Sequence, residues 1–377
     1  FDKIAPDALL TFTQFAPVPK SEFEGIDPLQ VQQAPFFQHP IGCGPFMVEE
    51  VNMKNYTILA PFDKYYNGVA DFKIQLLPSA GDSDPNVVTR AKSGNLDYGY
   101  TKMVADVQAL EGTPGITVTP IDVRYTRLFY LNKFDKKDGS PAPLADVRVR
   151  QALRYAIDME TICETLFQGS AVPANALAPD ANLKGGDLND YNYNPEKAKE
   201  LLAEANWDPN TVIKAVYYYT DQATVDLMTA VQAYLADVGI KMEFELVEGD
   251  LATILWAAPA DQTNGPRAVD WDICYAANAA LSLHEYYDRY RTGSPTNSHT
   301  PEDAELNRLI DATNASADVN AQNEAFKELI KYENENLFTM ALYYQPIFLI
   351  TSDKIGDIQK GTPQFCINWD IQNWNVQ

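Results

Sequence analysis

The chain is short of histidine, of cysteine and of long apolar runs, and each shortage excludes something. Its three histidines, His39, His284 and His299, are scattered, as are Cys43, Cys163, Cys274 and Cys366. No CxxC pair and no short His/Cys spacing occurs, so neither a zinc module nor any other cofactor is expected. No stretch approaches the roughly 18–20 apolar residues that cross a bilayer. The opening FDKIAPDALL lacks the basic-then-apolar order of a secretion leader. Basic residues are scarce too: 29 lysines and arginines stand against 52 acids, giving a formal charge of −23. A field of that sign repels phosphate backbones and anionic lipid, so nucleic-acid and membrane-surface roles are not expected.

What is present is ample core material. With 377 residues, 46% of them hydrophobic, the chain exceeds a single core and points to two or three domains, or to two lobes that share it. Residues 46–51 and 56–59 read as a hairpin, followed by a strand in DFKIQLL whose Phe72, Ile74 and Leu76 share one face. Asp84, Pro85 and Gly94 bracket a predicted helix. Behind Asp146, the positions Val149, Ala152, Leu153, Ala156 and Ile157 form one apolar stripe. Asp158 restarts the pattern with Met159, Ile162, Cys163, Leu166 and Phe167, which puts Cys163 on a buried face as an inert thiol. Another helix opens at Asn194-Pro195. Strand TVIKAVYYY, a helix bearing Leu227, Val231, Tyr234 and Leu235, and strand IKMEFEL then follow as a β-α-β unit with a parallel pair. Thr300-Pro301-Glu302-Asp303 has capping-box form. A helix from about 319 to 336 precedes the apolar strand ALYYQPIFLI.

The candidate chemistry is thin. Gly42-Cys43-Gly44-Pro45 opens a strand and carries neither the Lys nor the Ser/Thr of a phosphate loop, and it has no basic neighbour to stabilise a thiolate. GDSDP at 81–85 offers Ser83 without a partnering base, so a hydrolase is not expected. The 21 tyrosines stand out. They suit a core, and they also suit a cleft that grips varied ligands; composition alone leaves both open.

Several segments together resemble the bacterial extracellular solute-binding proteins of ABC importers, in the branch that takes oligopeptides, dipeptides and nickel. They are IGCGPFMVEEV...ILAPFDKYYNG, PLADVRVRQALRYAIDMETICETLFQGSAVPANALAP, YNYNPEKAKELLAEANW and TPEDAELNRLIDA. The resemblance implies an α/β, two-lobed fold of the type II periplasmic-binding-protein kind, with mixed sheets flanked by helices and two hinge crossings. It places the crossings near Pro120–Arg127 and Tyr344–Ile350. Residues 1–34 would be a remnant of a lobe-one subdomain, 35–122 lobe one, 123–345 lobe two and 346–377 the return to lobe one. Family members have more chain upstream, so an absent N-terminal region is expected, and with it restored a monomer.

The resemblance further implies capture without chemistry. The chain would be a binding component, not an enzyme, that takes a peptide or other small solute between its lobes and hands it to a membrane permease outside the cytoplasm. It would line the cleft with Tyr100, Thr101 and Lys102 from lobe one and with Arg127 beside the first crossing, where Lys102 and Arg127 could meet a carboxylate. From lobe two, WDICYAANAALSLHEYYDRY matches the stretch that supplies a Trp and an ammonium-binding Asp. Tyr275 or Asn278 stands for the first, Asn278 or Leu281 for the second. No carboxylate occurs between Asp272 and Glu285, so recognition of a free peptide amino end is in doubt. A non-peptide solute such as a metal chelate or sugar, and a signalling or adhesion protein that retains the fold, are the alternatives.

Overall fold

A computed structural model describes the chain except residues 1–3, 14–15, 53, 79–83, 122, 124, 186, 281, 298 and 357–369, so Ser83, Leu281 and Cys366 lie outside the described residues. The chain forms two compact units, the smaller of residues 9–123 and 346–377, the larger of residues 1–8 and 124–345. Apart from the N-terminal stretch, it passes between them at 123–124 and at 345–346. Residues 1–34 had been expected to stay together in the first lobe; the first eight instead group with the larger unit, where Asp7 Oδ1 lies 3.0 Å from His284 Nδ1.

Helix α1 (Ala8–Thr13) begins at that border. In the smaller unit β1 (Phe46–Asn52), β2 (Tyr56–Pro61) and β3 (Ile74–Leu76) form an antiparallel sheet in chain order. The Gly42–Pro45 turn leads straight into β1, and Leu76 at the end of β3 is exposed, against the expected burial. Helix α2 (Val87–Lys92) starts later than expected: Asp84 Oδ1 accepts the Asn86 N–H at 2.9 Å in the turn ahead of it and Asp84 Oδ2 binds Arg90 at 2.6 Å, while Gly94 takes a left-handed φ of 71° just past the end. Strand β4 (Tyr98–Thr101), helix α3 (Val104–Leu110) and strand β5 (Ile116–Ile121) complete this stretch.

The larger unit opens with β6 (Tyr125–Leu131), α4 (Val147–Ala156) and α5 (Met159–Thr165). Asp146 and Asp158 accept the backbone N–H groups of Arg148 and Thr161, as their positions ahead of each apolar stripe predict. Then come β7 (Val172–Pro173), α6 (Pro195–Glu204), β8 (Val212–Tyr217), α7 (Gln222–Asp237), β9 (Lys241–Leu246) and α8 (Leu251–Trp256). Strand β10 (Ile273–Ala279), α9 (Leu283–Asp288), α10 (Ala304–Thr313), α11 (Val319–Asn336) and β11 (Thr339–Tyr344) close the unit. The cap of α10 is Asp303 alone, and the Thr300 hydroxyl makes no capping bond. The apolar run ALYYQPIFLI is two strands rather than one. Pro346 has no N–H to donate to a ladder, and β12 (Ile347–Ser352) starts after it, in the smaller unit, between β4 and β5.

The larger sheet runs β7-β11-β6-β10-β8-β9. Strands β8, β9 and β10 are parallel, whereas β6 and β11 run against their neighbours. Alternation sets two cores. Phe129 and Leu131 pack with Leu153 and Leu227 on one face, Leu128 and Tyr130 with Leu309 and Leu329 on the other.

Candidate functional site

Register places both passages at one end of each sheet. In the larger unit β6 begins at Tyr125, just after the chain arrives, and β11 ends at Tyr344, just before it leaves; Tyr344 is paired with Thr126. The parallel strands β8 and β10 present their carboxyl ends there as well, with Ala279 opposite Tyr125. Ligands of open α/β sheets bind outside such carboxyl ends. In the smaller unit β5 ends and β12 begins at the passages, with Ile347 opposite Ile121 and Phe348 opposite Thr101. Tyr100, Thr101 and Lys102 therefore lie at the passage end of one sheet, and Arg127 and Asn278 near that of the other, while Tyr275 lies four residues back from the end of β10, opposite Phe129.

Within the larger unit, parity then separates these residues. Arg127 and Tyr275 share a face. The guanidinium lies 4.2 Å from the Tyr219 ring centroid, 5.1 Å from Tyr125 and 5.8 Å from Tyr275. A buried cation against aromatic faces gains roughly 0.5–2 kcal/mol per good contact. Tyr275 is itself fixed by a 2.8 Å hydroxyl–hydroxyl bond to Tyr343, and burial pushes its phenol up to about 12. The result is an electropositive, tyrosine-lined corner suited to an anionic group.

Asn278, three residues beyond Tyr275, points to the opposite face. It stands in a row with Thr126 and Tyr344 across β10, β6 and β11. The Thr126 hydroxyl donates to the Leu177 carbonyl at 2.8 Å. The Tyr344 hydroxyl accepts from Lys184 Nζ at 2.7 Å and donates to the Ala176 carbonyl at 2.5 Å. Glu333 lies under the same loop, accepting from Leu177 N–H at 3.2 Å. Burial raises its carboxyl to about 8 and lowers the Lys184 ammonium to about 8. Burial thus favours the neutral form of Glu333. Only Asn278 in this row has an unengaged side chain: it is fully buried, and neither Oδ1 nor Nδ2 meets a partner among the described residues.

In the smaller unit Tyr100 is exposed and Lys102 half-buried. Thr101 is buried, and its hydroxyl donates to Asp106 at 2.6 Å and accepts from Met103 N–H at 3.0 Å, so it positions the chain that carries Lys102. Tyr125, Tyr219 and Tyr343 around Arg127 were not singled out from the sequence. The signal for Tyr219 was the YYY run, in which Tyr218 and Tyr219 lie just beyond β8 with ring centroids 4.4 Å apart and hydroxyls 3.0 Å apart. Among the described residues no group of three or more His, Cys, Asp or Glu is arranged to hold a metal ion. No helix among them is long and apolar enough to cross a membrane.

Residues 1–300 match the profile of the bacterial extracellular solute-binding proteins, family 5 middle region. Among curated proteins, the chain is 26% identical over 272 residues to the oligopeptide-binding protein AppA of Bacillus subtilis, covering 67% of this chain and 46% of that one. It is 29% identical over 172 residues to heme-binding protein A of Haemophilus influenzae, covering 45% and 30%. The chain spans less than half the length of these relatives. The fold is shared with the ABC transporter substrate-binding protein CtaP of Listeria monocytogenes, at a TM-score of 0.80 and 19% identity, covering 99% of this chain and 74% of that one. Bacillus subtilis AppA, solved in complex with a nonapeptide, gives a TM-score of 0.77 at 18% identity, covering 100% and 75%. With a profile match over most of its length, the chain belongs to the family 5 bacterial extracellular solute-binding proteins.

Proposed function

We propose that this chain is the solute-capturing part of an ABC importer, which holds a peptide or peptide-like solute between its two units and releases it unchanged to a membrane permease. One observation carries this reading: Tyr100 and Thr101 in one unit, and Arg127 and Asn278 in the other, stand toward the sheet end where the chain leaves for the other unit. A solute touching both ends would be bound best with the units closed on it, and closure is driven only by that preference. The anionic end of such a solute suits Arg127 and Lys102, and its apolar parts suit the tyrosines. The protein works outside the cytoplasm, in the periplasm or as a surface lipoprotein, and as a monomer. It is a binder rather than a catalyst.

Native mass spectrometry of the purified protein tests this. The expected result is a co-purifying peptide mass, recovered intact after denaturation. A peptide at 100 times its dissociation constant also stabilises the fold by about 2.7 kcal/mol. No bound mass together with no thermal shift against peptide libraries would overturn the reading. A non-peptide carboxylate solute such as a metal chelate is the second reading, favoured by the Arg127 corner; the mass distinguishes the two.

A further inference from the structure

We propose that Asn278 recognises a neutral amide group of the solute, which makes the ligand class peptide-like and met through a peptide bond rather than through a free ammonium. The inference rests on the proposed function and adds the chemistry of one subsite to it. Asn278 is fully buried near the carboxyl end of β10, and its position is fixed. The β6 ladder holds its backbone, and the Tyr286 hydroxyl donates to its carbonyl at 3.3 Å. Its side chain is nonetheless unmet at both polar atoms. Buried amides in folded proteins are bonded, and a solute group at this sheet end is the partner we assign to it.

The chemistry of the amide selects what that is. A carboxamide offers both donors and an acceptor. An ammonium only donates and would leave Nδ2 unmet; a carboxylate only accepts and would leave Oδ1 unmet. A peptide group satisfies both, whichever way the carboxamide is turned. The surroundings agree. Asp272 to Glu285 encloses no carboxylate, the Thr126 hydroxyl is spent on Leu177, and burial favours the neutral form of Glu333 beneath the same loop. No ionised carboxylate in this row awaits an ammonium.

The test is a cycle between protein and ligand. Short peptides are screened by calorimetry, and the tightest binder is remade with one amide at a time replaced by an ester, which removes a single N–H. For the wild type one position should cost about tenfold in affinity, as loss of a good buried hydrogen bond does. For Asn278→Leu the parent peptide should bind about tenfold more weakly, and that position should cost nothing further. Asn278→Ser, a smaller change, replaces it if the leucine variant melts early. Asn278→Asp should shift selection toward peptides with free amino ends. If peptides bind but no ester position is erased by the substitution, Asn278 holds only water, and the inference fails while the importer reading stands. If no peptide binds and a non-peptide solute co-purifies, the peptide reading falls and the inference with it.

Discussion

Asp272→Asn should cost the larger unit about 3–5 kcal/mol, the usual penalty for stripping the partner from a buried charge. Asp272 and Arg267 are almost wholly buried, with Oδ1 and Nη1 2.8 Å apart. The other carboxylate oxygen accepts the Lys214 N–H at 2.9 Å. Arg267 spends two further donors on the carbonyls of Phe134 and Trp271. An asparagine keeps the shape but has one acceptor where two are needed. In one orientation its NH2 faces the guanidinium, in the other it faces Lys214 N–H. The residue also ties β6 to β8, because its backbone bonds to Asn132 and Lys214. The assay is urea unfolding followed by tryptophan fluorescence, since Trp207, Trp256 and Trp271 all report on this unit. The double variant Arg267→Met/Asp272→Leu should recover part of the loss, because it removes both charges together but leaves the Lys214 N–H and the Phe134 and Trp271 carbonyls without these partners. A loss below about 1 kcal/mol for Asp272→Asn, or a double variant no better than the single one, would refute the reasoning.

Three further outcomes follow from the same geometry. Burial alone would lower His284, but the hydrogen bond and charge of Asp7 outweigh it and raise its pKa above 6.5. A histidine raised on folding stabilises fully below its unfolded pKa and loses that contribution as pH rises through its folded value. Asp7→Asn should therefore lower the unfolding midpoint at pH 6 and have little effect at pH 9; an equal effect at both would contradict this. Glu333 is raised on folding by burial, to about 8, so the unfolded chain ionises first and stability drains as pH climbs from about 4.5 toward 8. Glu333→Gln should remove that slope, and thermal melts across the range would show a widening gap that flattens above 8. Cys43 is exposed, whereas burial pushes the Cys163 thiol up to about 12 and Cys274 further. Among these three, iodoacetamide should label Cys43 in the native protein and the others only on unfolding, as peptide mapping would reveal.

The helices of the larger unit were legible because two local signals coincide at each. Asp146, Asp158 and Asn194 sit just ahead of apolar stripes, and each caps the helix it was expected to cap. The parallel pairing of β8 and β9 followed from the crossover helix between them. The α2 boundary differs because Asp84 uses its Oδ1 to close a turn onto the Asn86 N–H before the helix begins, and in sequence such a turn has the same pattern as a cap. The split of ALYYQPIFLI was hidden by continuous apolar character, although Pro346 marked the break. The candidate residues themselves came from resemblance. Parity alone would have separated Tyr275 from Asn278, since an interval of three on a strand reverses the face. The tyrosines around Arg127 come from four separate elements or connections, so no local pattern joined them.

Hydrogen–deuterium exchange with and without the co-purifying solute tests the central claim most directly. The account predicts that solute protects residues 98–102 of the smaller unit and residues 125–127 and 275–279 of the larger one together, and that the solute is recovered chemically unchanged. Protection confined to one unit, or a solute altered by incubation with the protein, would contradict it.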